Sequence, residues 1–210
     1  MTTHWLYETT LQGKLVTLAP LKREHRDALL TASSDGELWN LWYTSVPSIK
    51  TIDAYLDQAF KDQDDGRALL FAVIDNATQK IIGTTRYCNA DNLNHRVEIG
   101  YTWYAKSHQR TGVNTECKYL LLSHAFETLN AIAVEFRTHW HNQASRAAIA
   151  RLGAKQDGVL RNHQKSAEGI CRDTVVFSII DQEWPAVKKN LDYKMARQMP
   201  RAGSSAEPAG

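Results

Sequence analysis

Apolar positions along this chain switch between a period of two and a period near three and a half, and the switches divide it into elements. Gly13 to Pro20 alternates loosely through Leu15, Val16 and Leu18, which predicts a first strand. Leu21, His25, Ala28, Leu29 and Ala32 then recur at helical intervals, and Ser33-Ser34-Asp35-Gly36 supplies turn residues that end the helix. An aromatic segment follows, Trp39, Trp42 and Tyr43, stopped by Pro47. Ile52, Tyr55, Leu56, Ala59 and Phe60 mark a second amphipathic helix with Thr51 as its N-cap. Ala68 to Ile74 and Lys80 to Asn89, joined by Asn76-Ala77-Thr78-Gln79, predict a hairpin.

The stretch Glu98-Ile99-Gly100-Tyr101-Thr102-Trp103-Tyr104 reads as a further strand, rich in β-branched and aromatic residues. After a polar turn a helix opens, with Val113, Cys117, Leu120, Leu121 and Ala125 near one face and Leu122, Phe126 and Leu129 widening it. Strand, glycine-containing turn and helix N-terminus together make an anion site, because free backbone N–H groups and the helix dipole both favour negative charge there. A lone glycine, Gly112, leaves an ordinary strand-to-helix turn open as the alternative.

Ala133 to Trp140 alternates as a strand. Asn142 can cap a short helix that ends near Leu152, with Gly153 in the C′ position. Lys155 to His163 and Asp173 to Ile180 predict two closing strands, and Glu183 to Gln198 a terminal helix. The order predicts an α/β class fold: one mixed sheet with helices on both faces. Residues 1–198 form one domain on this reading. Residues 199–210, rich in Gly, Ser, Ala and Pro, form a disordered tail.

Composition narrows the function classes. With 43% hydrophobic residues in 210 the chain can build a core, and a formal net charge of +2 marks neither a nucleic-acid nor a membrane surface. No apolar run approaches the ~20 residues of a membrane span, and Met1-Thr2-Thr3-His4-Trp5 lacks the basic and apolar regions of a signal peptide. Cys88, Cys117 and Cys171 are widely spaced and odd in number, which suits packing thiols in a reduced, cytoplasmic protein. His139 and His141 flank Trp140 on one strand face, but no third ligand accompanies them in sequence, so no metal site is expected.

Gln109-Arg110-Thr111-Gly112-Val113-Asn114 resembles the pyrophosphate loop, Q/R-x-x-G-x-G/A, of the GCN5-related N-acetyltransferases. Asn114 stands where the family has Gly or Ala, and Asn tolerates unusual backbone angles. Val97 to Tyr101 is similar to the fourth-strand signature of the branch that acetylates ribosomal-protein N-termini. Asn142-Gln143-Ala144-Ser145 with Arg151 to Ala154 resembles that branch's next helix, and Asp157 to Arg161 with Arg172-Asp173 its closing strands. The blocks occur in the family's order over roughly Leu11 to Trp184.

The resemblance implies an acyl-CoA N-acyltransferase fold of about seven strands. It implies transfer of an acetyl group from acetyl-CoA, with no metal, to a primary amine on a small molecule or a peptide or protein N-terminus. A homodimer is among the assemblies it suggests, with Trp140 and Trp184 near the sheet ends as the sequence feature. Such a reaction needs an amine that loses a proton, a polarised thioester carbonyl and a protonated leaving thiolate. Glu98 is the candidate base, since burial in its apolar strand raises a carboxyl pKa. The alternative is a carboxylate that only pairs with a nearby Arg. The resemblance assigns Asn142 to the pantetheine arm and Ser145 as the acid, whereas by pattern alone Asn142 is a cap and Ser145 a helix-surface hydroxyl. A tyrosine acid later in that helix is absent, since Ile149 holds the position; Tyr104 or a water remains open for that role.

The backbone of Arg110, Thr111, Gly112, Val113, Asn114 and Thr115 is expected to cradle the pyrophosphate, and Ile99, Gly100 and Tyr101 to meet the pantetheine amides edge-on. The same resemblance places Trp39, Trp42 and Tyr43 on a substrate wall, with core filling the plainer reading. Two rivals stay open: a catalytically silent acyl-CoA-binding module, and an α/β nucleotide-binding protein.

Overall fold

Every predicted strand joins one sheet. The computed structural model describes residues 5–166 and 168–198. Its strands are β1 (Leu11–Gln12), β2 (Val16–Pro20), β3 (Leu69–Asp75), β4 (Ile81–Asp91), β5 (Arg96–Tyr104), β6 (Ala133–His139), β7 (Lys155–Lys165) and β8 (Cys171–Ile180). Its helices are α1 (Arg26–Ser34), α2 (Ile52–Asp64), α3 (Val113–Ser123), α4 (Gln143–Leu152) and α5 (Trp184–Gln198). The sheet has eight strands in the order β1-β2-β3-β4-β5-β6-β8-β7. The strand beyond the expected seven is the two-residue β1, too short to carry a period of its own.

Both sheet faces are covered, which is why β3 is apolar throughout rather than alternating. Leu69, Phe71 and Val73 face a cluster that includes Val113, Cys117 and Leu121 of α3, Leu152 of α4 and Leu191 of α5. Leu70 and Ala72 face the other way, against Leu29 and Ala32 of α1 and Ile52, Leu56 and Ala59 of α2. All neighbouring strands are antiparallel except β5 and β6.

Several local expectations change. Thr51 does not cap α2 with its side chain; its hydroxyl accepts the Ser48 N–H at 2.9 Å instead. The helix expected to run to Leu129 is α-helical only to Ser123 and continues as a π-helical turn over His124–Thr128. Trp184 is not a surface aromatic: it is buried, stacks on Phe126 and donates to Glu127 Oε1 at 2.8 Å, which removes it as a dimer feature. Trp140 stays partly exposed under the Arg146 guanidinium. Gly153 does end α4 in the left-handed region, φ 111°. The expected tail, 199–210, lies outside the described residues. Among the described residues no helix is long and apolar enough to cross a membrane.

Candidate active site

β5 and β6 run side by side for only three residues. Arg96, Val97 and Glu98 pair with Ala133, Val134 and Glu135. Beyond that β5 continues to Tyr104 and β6 to His139 without pairing to each other. The strands splay into a wedge, and the backbone groups on that edge of β5 have no strand partner. Such an edge is a template for another extended chain.

The bend in β5 has a local cause. Between the pairs Arg86–Gly100 and Thr84–Trp103, two residues of β5, Tyr101 and Thr102, stand against one of β4. This bulge places Tyr101 in the left-handed region, φ 51°, and a bulge bends and twists its strand. Gly100 beside it is tightly enclosed: a Cβ there would lie 3.0 Å from Cys88 Sγ and 3.1 Å from Glu98 Oε1 and would press on both side chains. Ile99 is buried on the α3 side.

Because β5 and β6 are parallel, each leads to a helix N-terminus at the same end of the wedge. At α3 the Glu116 N–H donates to the Gly112 carbonyl at 3.0 Å. The amides before Glu116 therefore lie at the positive end of the helix, with Val113 N–H reaching only Thr111 Oγ1 at 3.3 Å. Two details of the loop differ from expectation. Gly112 has φ −67°, open to any residue, and the left-handed position is the exposed Arg110, φ 61°. Asn114 is helical, needs no unusual angles, and accepts the Tyr104 hydroxyl at 3.2 Å. Thr115 is buried and accepts Arg151 Nη2 at 3.2 Å, which ties α3 to α4.

At α4, Asn142 Oδ1 accepts the Ser145 N–H at 3.0 Å, so Asn142 does cap the helix. Ser145 is half-buried. Tyr104 is buried, and burial pushes its pKa well above the ordinary value. Ile149 packs in the core.

Glu98 sits at the apex of the wedge, 8% exposed. Its neighbours Val97 and Ile99 face α3, so its own side chain faces the α1/α2 side, opposite to α4 and Ser145. Asn89 Nδ2 donates to Glu98 Oε2 at 2.8 Å, and Arg137 Nε lies 3.5 Å from the same oxygen. Burial nevertheless dominates and raises the Glu98 pKa, with Glu135 adding like-charge repulsion. A cleft of about 190 Å³ lined by Asn89, Glu98, Glu135 and Arg137 opens beside it.

The aromatic segment reaches the same face. Trp42 is largely exposed and packs edge-on against His139, ring centroids 4.9 Å apart, and against Tyr43 at 5.7 Å. Trp42 lines a cleft of about 280 Å³ with His141, Cys171, Arg172 and Asp173. Trp39 is half-buried and does not line it. Cys171 is exposed at the start of β8, so only Cys88 and Cys117 are packing thiols. Among the described residues no three His, Cys, Asp or Glu side chains are placed to hold a metal.

The acetyltransferase (GNAT) domain model matches residues 16–155, which contain the wedge, the loop and the α4 N-terminus. The chain belongs to the GNAT acetyltransferase family. It is 28% identical over 178 residues to the uncharacterised N-acetyltransferase p20 of Bacillus licheniformis, covering 83% of this chain and 98% of that one. It is 33% identical over 100 residues to YdaF of Bacillus subtilis (strain 168), which carries the name of a ribosomal N-acetyltransferase, covering 48% and 54% of the two chains. The crystal structure of a GCN5-related N-acetyltransferase from Brucella melitensis superposes with a TM-score of 0.81 at 29% identity, covering 96% of this chain and 90% of that one. Mycobacterium smegmatis RimJ in complex with CoA-disulfide shares the fold, with a TM-score of 0.75 at 20% identity, covering 91% and 96%. This chain is thus an acetyltransferase of a family that uses acetyl-CoA.

Around the wedge and the start of α3 lie residues that no sequence pattern singled out. Lys118, on the buried side of α3, reaches under the bulge to Thr102 at 2.6 Å. Glu116 accepts the backbone N–H groups of Lys14, Leu15 and Val16 at 2.9, 2.7 and 2.9 Å, which fixes the start of α3 to the β1–β2 turn. Arg86, Arg137 and Arg172 surround Tyr101 and Glu98. The sequence around Arg86 (Thr84-Thr85-Arg86) and Lys118 (Thr115-Glu116-Cys117-Lys118) is itself polar, so no local pattern marked either residue as buried.

Proposed function

We propose that this GNAT enzyme moves the acetyl group of acetyl-CoA directly to a primary amine while both substrates are bound. The observation that carries the proposal is Glu98: a buried carboxylate with a raised pKa at the apex of the wedge, where the free edge of β5 begins. The outward amides from Gly112 to Thr115 and the exposed Arg110 suit a pyrophosphate, and the edge from Ile99 to Tyr101 suits the amides of the pantetheine arm. Asn142, at the head of α4, borders the same arm.

The ammonium gives one proton to Glu98, the freed amine nitrogen bonds to the thioester carbonyl carbon, and the tetrahedral intermediate collapses with the C–S bond broken. The second nitrogen proton passes to the leaving thiolate through solvent or through Ser145, whose hydroxyl takes up that proton as it gives its own. A base with a raised pKa suits an acceptor that is mostly protonated at neutral pH, since an α-amine has pKa ~8 and a lysine-like amine ~10. Trp42 and Tyr43 wall the acceptor side; Trp39 supports the segment from within. YdaF's name favours a ribosomal acceptor, whereas the small cleft that Glu98 lines favours a small amine. A screen of amine acceptors with acetyl-CoA, following free CoA release and product mass, tests the assignment. Binding of CoA without turnover on any amine would reject it in favour of a silent binding module.

A further inference from the structure

β4 carries a bulge of its own beside the apex of the wedge. Between the pairs Cys88–Glu98 and Asp91–Arg96, two residues of β4, Asn89 and Ala90, stand against one of β5. Asn89 takes a left-handed backbone there, φ 49°, and is exposed. Such a conformation strains a residue other than glycine, and Asn is among those that tolerate it best. A bulge also re-aims a side chain. Here it brings the Asn89 amide to Glu98 Oε2, with Nδ2 donating at 2.8 Å.

Period two puts Arg96 and Glu98 on one face of β5, and Glu135 and Arg137 on the same face of β6, because Glu98 pairs with Glu135. The two arginines are shared unequally. Glu135 accepts from Arg96 Nη2 at 2.5 Å and from Arg137 Nη2 at 3.0 Å. Among the described residues the cation paired with Glu98 is Arg137, through Nε at 3.5 Å. Asn89 is the closer donor, and it is neutral, so it orients the carboxylate without cancelling its charge. Both contacts fall on Oε2. Oε1 lies toward Gly100 on the free edge of β5, where a Cβ on that glycine would come within 3.1 Å of it. Asn89, Glu98, Glu135 and Arg137 all line the one cleft of about 190 Å³.

We propose that Asn89 is a positioning residue for acetyl transfer: its amide holds Glu98 Oε2 and leaves Oε1 to take the proton of the acceptor ammonium. The proposal rests on Glu98 as the base. Burial raises the Glu98 pKa, and the Asn89 hydrogen bond opposes that rise because it favours the ionised carboxyl. The other groups that act on Glu98 or share its cleft are Cys88 and Asp91 of β4, Arg96 and Tyr101 of β5, Glu135 and Arg137 of β6, and Arg172 of β8. A substitution at Asn89 leaves all of them in place.

The test compares Asn89→Gly and Asn89→Asp with the wild-type full chain. Glycine is at ease at φ 49°, so the first variant removes the amide and keeps the fold. The second keeps the shape and exchanges the donor for a like charge. One readout needs no substrate: the pH titration of the Glu98 carboxyl, followed by carbon-13 NMR on carboxyl-labelled protein and assigned with Glu98→Gln. Its midpoint should move up in Asn89→Gly and further up in Asn89→Asp. The other is kcat/KM for transfer from acetyl-CoA to glycinamide, or to the best amine of the acceptor screen. Its acid limb should move up with the carboxyl, so that Asn89→Gly loses about 3–10-fold near pH 6 and less near pH 8, with the acetyl-CoA Kd unchanged. An unmoved midpoint or an unmoved acid limb, with Glu98→Gln inactive, overturns Asn89 and leaves Glu98 as the base. A midpoint that moves while Glu98→Gln keeps a wild-type profile, or while the wild-type chain acetylates no amine, overturns Glu98 as the base and the proposal with it. A loss equal at every pH, with a lowered melting temperature, makes Asn89 structural only and also overturns the proposal.

Discussion

Lys118 Nζ donates to the Thr102 hydroxyl across 2.6 Å, and Thr102 shares a further hydrogen bond of 2.7 Å with Thr85. The β5 bulge is thus anchored from beneath by a buried lysine that has no carboxylate beside it among the described residues. Burial lowers the Lys118 pKa to about 8, from 10.5. Between these values the unfolded chain binds the proton more tightly, so native stability should rise with pH from about 8 toward 10.5. Lys118→Met keeps the length of the side chain and removes the charge. It should stabilise the protein by about 1–3 kcal/mol at pH 7, with the advantage fading as pH approaches 10. Urea unfolding of both proteins at pH 7 and pH 9.5 measures this; a Met variant less stable at pH 7 would show that the ammonium is fully satisfied.

Glu98→Gln separates catalysis from stability. A carboxyl whose folded pKa lies above the unfolded 4.5 stabilises the native state most in acid, and that contribution is lost as pH rises through the folded pKa. Wherever the carboxylate is ionised its burial is a cost, and Gln keeps the side chain's shape, so Glu98→Gln should not lower the melting temperature. Turnover should fall by about 10²–10⁴-fold near pH 7 and recover in part as the amine deprotonates at higher pH. Ser145→Ala should lose less and show no recovery with pH. Rate–pH profiles beside thermal unfolding decide between roles: an active Glu98→Gln enzyme with a wild-type profile removes Glu98 from the mechanism.

Glu116 is a structural clamp, not a catalytic group. Its carboxylate meets three backbone donors from the β1–β2 turn. Glu116→Ala should cost about 2–4 kcal/mol, because three backbone donors, that of Val16 fully buried, lose a charged acceptor together. Gly13→Ala should act on the same contact, since a Cβ there would come within 2.5 Å of Glu116 Oε2, and should cost about 1–3 kcal/mol. Denaturant midpoints report both, and a double variant should be far from additive.

Gly112→Val tests the loop. At φ −67° the backbone accepts a side chain, so the fold should survive. The loss should appear in acetyl-CoA affinity, because a side chain at the helix N-terminus crowds the space before the outward amides. Calorimetry giving an unchanged Kd would mean that the pyrophosphate lies elsewhere.

The sequence by itself determined the elements. Hydrophobic period is a local property, so β2 to β8, the five helices and the Gly153 stop on α4 were legible from neighbours within a few residues, whereas the two-residue β1 and the π-helical turn after Ser123 were not. So was the strand–turn–helix around Gly112, and Glu98 stood out as an acid in an apolar strand. Only the tertiary structure decided what those elements enclose. The wedge exists because β5 and β6 pair from Arg96 to Glu98 and then part, and no local pattern encodes where two distant strands separate. The same holds for the charges. Arg86 met two tyrosines, Lys118 met Thr102, and Glu116 met the β1–β2 turn, each partner distant in sequence. A side chain's chemistry follows from its burial and its neighbours, and those are fixed only when the whole sheet closes over it.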